Sequence, residues 1–180
     1  YEGSLNESVP AFPENGYGIA KLCAGQMTRI ACKQKGMRHI WTRILSIYGP
    51  YDGENTMVMS TIYKLLNSEK PSCTKGEQMW DFLYSKDAAL AMRLLGEKGT
   101  DGRTYCIGSG KARPLKEYID IIGQNANKNV TIGYGDIGPL QVMYLCADIT
   151  ALREDTGFEP RYSFEDGIKE TIEWCRTQNL

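Results

Sequence analysis

Asn15-Gly16-Tyr17-Gly18-Ile19-Ala20-Lys21 sets a phenol and an ammonium four residues apart at the start of a stretch with helical periodicity. Residues four apart share a helix face, so the two groups stand side by side. A free phenol titrates near pH ~10, well above the range useful to an acid/base group at neutral pH, and closing a gap of ~3 pH units takes about 4 kcal/mol. One positive charge at ~4 Å, at an effective dielectric of ~20, supplies about that much. The pair is chemically sufficient for a proton shuttle. Its spacing alone carries little weight in a chain with 11 tyrosines, and the surroundings decide the reading.

The periodic stretch runs from about Asn15 to Lys35, with Ile19, Leu22, Cys23, Met27 and Ile30 on one face and Gly36 placed to end it. The apolar run Arg38 to Ile47 then reads as a buried parallel strand, which needs neighbours on both sides. Helical spacing returns over Thr56–Ser68, Asp87–Gly96 (Asp87 as N-cap), Pro114–Gln124 and a short segment from Asp148 to Gly157. The last helix opens at Ser163-Phe164-Glu165-Asp166, a capping box with Asp in place of Glu. Pro71–Lys75, Met79–Tyr84, Arg103–Ile107 and Val130–Tyr134 read as strands. Alternating strands and helices point to an α/β fold.

With 21 basic against 22 acidic residues and no basic block, the 180-residue chain does not read as a nucleic-acid binder. No apolar run approaches the ~20 residues of a membrane span, and no signal peptide is visible. Six cysteines with no C-x-x-C, and a single histidine, His39, make no zinc-site pattern. Buried, reduced thiols and a cytoplasmic location are expected.

Several motifs follow one another in a recognisable order: Pro13-Glu14-Asn15-Gly16-Tyr17-Gly18-Ile19-Ala20-Lys21, Arg43-Ile44-Leu45-Ser46-Ile47-Tyr48-Gly49-Pro50, Trp80-Asp81-Phe82-Leu83-Tyr84-Ser85-Lys86-Asp87-Ala88-Ala89, Tyr105-Cys106-Ile107-Gly108-Ser109-Gly110, Asp148-Ile149-Thr150-Ala151-Leu152, Gly157-Phe158-Glu159-Pro160 and Gly167-Ile168-Lys169-Glu170-Thr171-Ile172-Glu173-Trp174. In order and spacing the series resembles the NAD-dependent epimerase/dehydratase family, extended short-chain dehydrogenase/reductases acting on nucleotide sugars. The resemblance spans nearly the whole chain. It implies the C-terminal part of a Rossmann-type parallel sheet plus the smaller α/β substrate-binding domain. Residues 1–55 would be the remnant of the dinucleotide-binding domain and 56–180 the substrate-binding domain, with chain exchange between the two. No glycine-rich G-x-G-x-x-G turn follows a strand-like run, so the chain resembles the C-terminal portion of a longer enzyme without its NAD-binding half. Tyr1-Glu2-Gly3 is similar to the end of the loop after the family's catalytic Ser/Thr.

Carried over residue by residue, the resemblance makes Tyr17 the acid/base at the sugar oxygen, while Lys21 holds the nicotinamide ribose and favours the phenolate. Ile44 and Leu45 match the segment that approaches the nicotinamide of NAD or NADP. Ser46 stands where many relatives have a substrate-contacting Asn, and Arg113 is placed to meet substrate phosphate. Trp80 replaces the Arg with which many epimerases grip the substrate diphosphate. Indole cannot form that charged fork but can stack on a base or sugar. Asp81 and Asp87 read as structural. The implied activity is hydride transfer at ring C4 of a nucleotide sugar by an epimerase, dehydratase or 4-ketoreductase, with a homodimer as the assembly and no metal. The 180-residue piece itself is expected to be inactive. The alternative is a non-enzymatic dinucleotide- or sugar-nucleotide-binding relative, a sensor or scaffold.

Overall fold

The computed structural model describes residues 3–138 and 142–178 of the chain, so Tyr1 and Glu2 lie outside the described residues. In chain order the elements are β1 (Ser4–Leu5), α1 (Gly16–Gln34), β2 (Trp41–Ile44), β3 (Ser46–Tyr48), α2 (Met57–Leu66), β4 (Ser72–Cys73), β5 (Met79–Trp80), β6 (Phe82–Tyr84), α3 (Ser85–Lys98), β7 (Thr104–Ile107), β8 (Arg113–Pro114), α4 (Leu115–Ala126), β9 (Gly133–Tyr134), β10 (Tyr144–Ala147), α5 (Thr150–Thr156) and α6 (Phe164–Thr177).

Local chemistry fixes most helix ends. Asn15 Oδ1 accepts the Gly18 N–H at 2.8 Å and starts α1. At its far end the Met37 N–H donates to Cys32 O and the Gly36 N–H to Lys33 O, with Gly36 at φ +63°, a Schellman closure. Ser163 Oγ accepts the Asp166 N–H at 3.1 Å and donates to Asp166 Oδ2, the capping box read from sequence. Asp87 does not cap its helix. α3 begins two residues earlier, and the buried Asp87 carboxylate instead accepts the Arg161 and Tyr162 N–H groups from 74 and 75 residues away.

The strands pair mostly in parallel. β2 lies on β7, β3 on β6, β4 on β9, and β10 sits between β1 and β5; among the described residues only β5–β8 is antiparallel. Two runs read as single strands each break in the middle. Arg38–Ile47 divides into β2 and β3 at Leu45, whose N–H donates to Ile107 O. Met79–Tyr84 divides at Asp81, and the chain changes partner there. Helices cover both sides. β6 sends Tyr84 into a core with Tyr48, Met59, Ile62, Tyr118, Phe164 and Ile168, built on α2, α4 and α6. Its neighbour Leu83 points into a second core with Leu95, Tyr105, Ile107, Leu152 and Phe158, under α3 and α5. Alternation along one strand thus feeds two hydrophobic layers.

Burial is incomplete at the first helix, at the strand expected to be buried and at the thiols expected to be buried. The apolar face of α1 is largely uncovered, with Ile19, Met27 and Ile30 exposed and Gly25 its one buried residue among those described. Cys23 is exposed, whereas Cys73, Cys106, Cys146 and Cys175 are buried, and all six thiols are free. β2 is half-buried and has β7 as its sole ladder partner among the described residues. No helix among them is long and apolar enough to cross a membrane.

Asp81 carries the greatest structural load. Its fully buried carboxylate accepts the Ser109 N–H (2.8 Å), Ser109 Oγ (2.5 Å), the Gly110 N–H (3.1 Å) and the Ala147 N–H (3.0 Å). Asp81→Asn keeps the shape but sets an amide N–H₂ against two of those donors. Since a hydrogen bond to a buried charge is worth ~1.5–3 kcal/mol, the variant is expected to lose about 3 kcal/mol, measured as a lower urea midpoint with unchanged slope.

Candidate active site

Because Asn15 is the N-cap, Tyr17 falls in the first turn of α1 and Lys21 one turn later. Both line an open groove of about 740 Å³ between α1, the 11–13 segment and β2. Two glycines let its walls close up. A Cβ on Gly25 would come within 2.8 Å of the Trp41 indole, and one on Gly18 within 2.7 Å of Pro13 Cβ. Arg43 holds the outer wall by donating to Val9 O at 2.6 Å and Asn6 O at 3.3 Å across β2.

Tyr17 is 76% exposed, and the Lys21 ammonium lies over its ring, 5.5 Å from the centroid. The pair therefore meets through a cation–π contact on one side of the groove. Among the described residues no hydrogen bond engages either Tyr17 Oη or Lys21 Nζ. Ile44, 52% exposed at the end of β2, completes this side. Leu45 turns the other way and packs against the second core.

Ser46 and Trp80 are joined directly, the indole Nε1–H donating to Ser46 Oγ at 2.7 Å. Trp80 stands opposite Arg113 in the β5–β8 ladder. The Arg113 guanidinium, however, is taken up by Glu165 at 2.7 Å and lies over the Tyr118 ring. The seven residues singled out from sequence therefore fall into three places: Tyr17, Lys21 and Ile44 in the groove, Leu45 beneath it, and Ser46, Trp80 and Arg113 along the neighbouring strands. Sequence reading passed over Gly25, Trp41 and Arg43, which shape the groove. An isolated glycine inside a helical pattern was the available signal.

The family model of the NAD dependent epimerase/dehydratase family matches residues 2–108. The chain belongs to the NAD-dependent epimerase/dehydratase family. A dTDP-glucose 4,6-dehydratase of Xanthomonas campestris pv. campestris is 27% identical over 186 residues, covering 97% of this chain and 53% of the relative. The chain spans about half the length of the curated relatives it matches. Among solved structures, the UDP-N-acetylglucosamine 4-epimerase of Methanobrevibacter ruminantium, in complex with UDP-N-acetylmuramic acid, is 26% identical with a TM-score of 0.86, covering 97% of this chain and 57% of that one. A UDP-glucuronic acid 4-epimerase of Bacillus cereus in complex with NAD superposes over 100% of this chain and 58% of that one, with a TM-score of 0.88 at 19% identity, a likeness of fold. The α/β arrangement is thus the Rossmann-type architecture of the epimerase/dehydratase family.

Outside the groove lining, several carboxylates are held below their ordinary range by partners. Arg113 does so for Glu165 by hydrogen bond and charge, and Lys86 with the Tyr84 hydroxyl for Glu170. For Asp155 the Tyr105 hydroxyl acts first, helped by Thr100 and Arg103. A carboxyl depressed by folding adds stability above its unfolded value and loses it as pH falls through the folded one. Thermal midpoints are expected to drop below about pH 4.5, near the ordinary Glu and Asp range, with these three groups adding no slope between pH 6 and 8. Glu165→Gln is expected to flatten the acid limb in circular-dichroism melts.

Proposed function

We propose that the full-length protein is an NAD- or NADP-dependent enzyme acting on a nucleotide sugar, with Tyr17 as the acid/base at ring C4. One observation carries the reading. An exposed phenol and an ammonium from one helix, in cation–π contact, line a groove of about 740 Å³, and neither Tyr17 Oη nor Lys21 Nζ has a hydrogen-bond partner among the described residues. That donor set fits a dinucleotide. Lys21 Nζ is a three-donor cation suited to the ribose hydroxyls, and Tyr17 Oη is left free to exchange a proton. When bound, the nicotinamide supplies hydride transfer.

Tyr17 Oη takes the proton from the sugar hydroxyl on oxidation and returns it on reduction. Lys21 keeps positive charge against the ring and favours the phenolate that must be present before the proton is taken. Ile44 gives an apolar contact at the end of β2, with Leu45 fixing the backbone beneath. Ser46, oriented by Trp80, offers a hydroxyl to the substrate, and Arg113 adds positive charge beyond the β5–β8 ladder. The assembly in this reading is a cytoplasmic homodimer, supported by the uncovered Ile19, Met27 and Ile30 on α1. Whether the product is an epimer, a dehydrated sugar or a reduced ketone depends on groups beyond these. A sensor or scaffold would keep ligand binding without turnover.

In the full-length protein, Tyr17→Phe is expected to lower turnover by ~10²-fold or more, the scale of acid/base catalysis, while leaving the melting midpoint in place because the hydroxyl is exposed. Retained turnover would refute the assignment of Tyr17.

The 180 residues include no glycine-rich turn to cradle a pyrophosphate with backbone N–H groups, so this chain by itself is proposed to be catalytically silent. Calorimetric titration of the 180-residue chain with NAD and with NADP is expected to show no saturable heat at micromolar ligand. A saturable micromolar isotherm is the opposing result.

A further inference from the structure

The segment that leads into α1 leaves a phenyl ring in the open. Phe12 is 85% exposed, and no ring contact or hydrogen bond engages it among the described residues. It nevertheless lines the Tyr17 groove, where Tyr17 and Ile44 are exposed as well. A phenyl ring held in water beside a groove gains free energy from any ligand that covers it.

The backbone carrying Phe12 is fixed at both ends and bare between them. Before it, the Val9 N–H closes a turn on Asn6 O, and Arg43 from β2 donates to Val9 O at 2.6 Å and to Asn6 O at 3.3 Å. Glu7 in the same turn pairs with Arg103 at 3.1 Å. After it, Pro13 seats against Gly18, where a Cβ would come within 2.7 Å of Pro13 Cβ, and Asn15 caps α1. Residues 10–14 make no hydrogen bond among the described residues. Pro10 and Pro13 stiffen this strap, because proline fixes its own φ and holds the preceding residue, here Phe12, extended. A side chain presented on stiff backbone loses little entropy on binding. Pro13 abuts the residue after Tyr17, so the strap passes the turn of α1 that carries the phenol.

Resting on the reading of Tyr17 as the acid/base at a nucleotide sugar, we propose that Phe12 is a substrate-contacting residue whose phenyl face packs on the C–H face of the sugar ring. The ring chemistry selects that part of the ligand. An aromatic face is electronegative and suits neither a diphosphate nor a carboxylate. A pyranose carries hydroxyls around its edge and C–H groups on its faces. Tyr17 Oη and Lys21 Nζ have no hydrogen-bond partner of their own and serve the edge, which leaves a face for an apolar wall. Phe12 thus contributes affinity for the sugar and none for the nucleotide.

The full-length protein and its Phe12→Ala, Phe12→Ser and Phe12→Tyr variants are titrated calorimetrically with UDP-glucose, dTDP-glucose and GDP-mannose, and with UDP, dTDP and GDP as the sugar-free counterparts. For the nucleotide sugar that the unaltered protein binds, Phe12→Ala is expected to weaken binding about tenfold while leaving the matching diphosphate unchanged. Phe12→Tyr keeps the ring and is expected to retain full affinity. Melting midpoints stay in place because the side chain is exposed, and Phe12→Ser gives the same decision should Phe12→Ala fail to express. Equal weakening of the sugar-bearing and sugar-free ligands overturns the proposal by placing the phenyl elsewhere. Unchanged affinity for the nucleotide sugar in the alanine and serine variants overturns it too, and leaves the role of Tyr17 intact. A full-length protein that binds none of the three nucleotide sugars overturns both readings together.

Discussion

A carboxylate sealed inside the protein organises the rest. Removing Asp81 from water is costly, and the cost is met only because four donors from two other parts of the chain converge on its oxygens. Those donors are the turn after β7 and the end of β10, so one side chain ties the β5–β10 pair to β7, which shares no ladder with either among the described residues. The interruption of the Met79–Tyr84 run follows directly. With Asp81 turned inward to its donors, β5 continues into the ladder of β10 and β8 while β6 goes to β3. Gly108 makes room, since a Cβ there would sit 2.6 Å from Asp81 Oδ2 and from Ala147 Cβ. Asp87 works the same way one turn into α3, fastening the segment that leads into α6.

These two buried acids stand behind everything polar on the surface above them. The Tyr17 groove, by contrast, depends on small residues rather than charge. Gly18 and Gly25 let Pro13 and Trp41 approach α1, and Arg43 pulls the 6–9 segment across β2. The phenol is held by its place in a capped first turn, not by packing around the ring. A residue positioned that way keeps its oxygen available to a partner molecule, and its neighbour Lys21 is restrained by little more than the ring face beneath it.

How far the chain could be read in advance follows the range of the forces involved. Helix starts at Asn15, Thr56 and Ser163 and the stop at Gly157 are local events between residues three or four apart, and they were legible. Asp87 carried the same local signature and was misread, because its donors lie more than seventy residues downstream. The two- and four-residue strands β1, β8 and β10 escaped notice because each is defined by a partner distant in sequence. The break at Leu45 had no local mark, and the one at Asp81 was marked only by a lone acid within an otherwise apolar run. The apolar periodicity of α1 indicated a helix and left its burial open, since the pattern states which residues share a face and not what lies against it. Tyr17 and Lys21 were found because their pairing is an i,i+4 relation.

Ser46 and Trp80 show the same limit at finer scale. Read singly, each was set against the residue that the family resemblance implies, Asn at Ser46 and Arg at Trp80. Together they form one unit. An indole N–H can only donate, so at 2.7 Å Ser46 Oγ must be the acceptor, which leaves the serine proton to be given elsewhere. No acceptor for it exists among the described residues. The hydroxyl of Ser46, two residues past Ile44 of the groove wall, thus has its direction set by Trp80, 34 positions away on β5. Neither substitution has that consequence alone: serine without the indole rotates freely, and the indole without serine has a buried edge and no partner for its N–H.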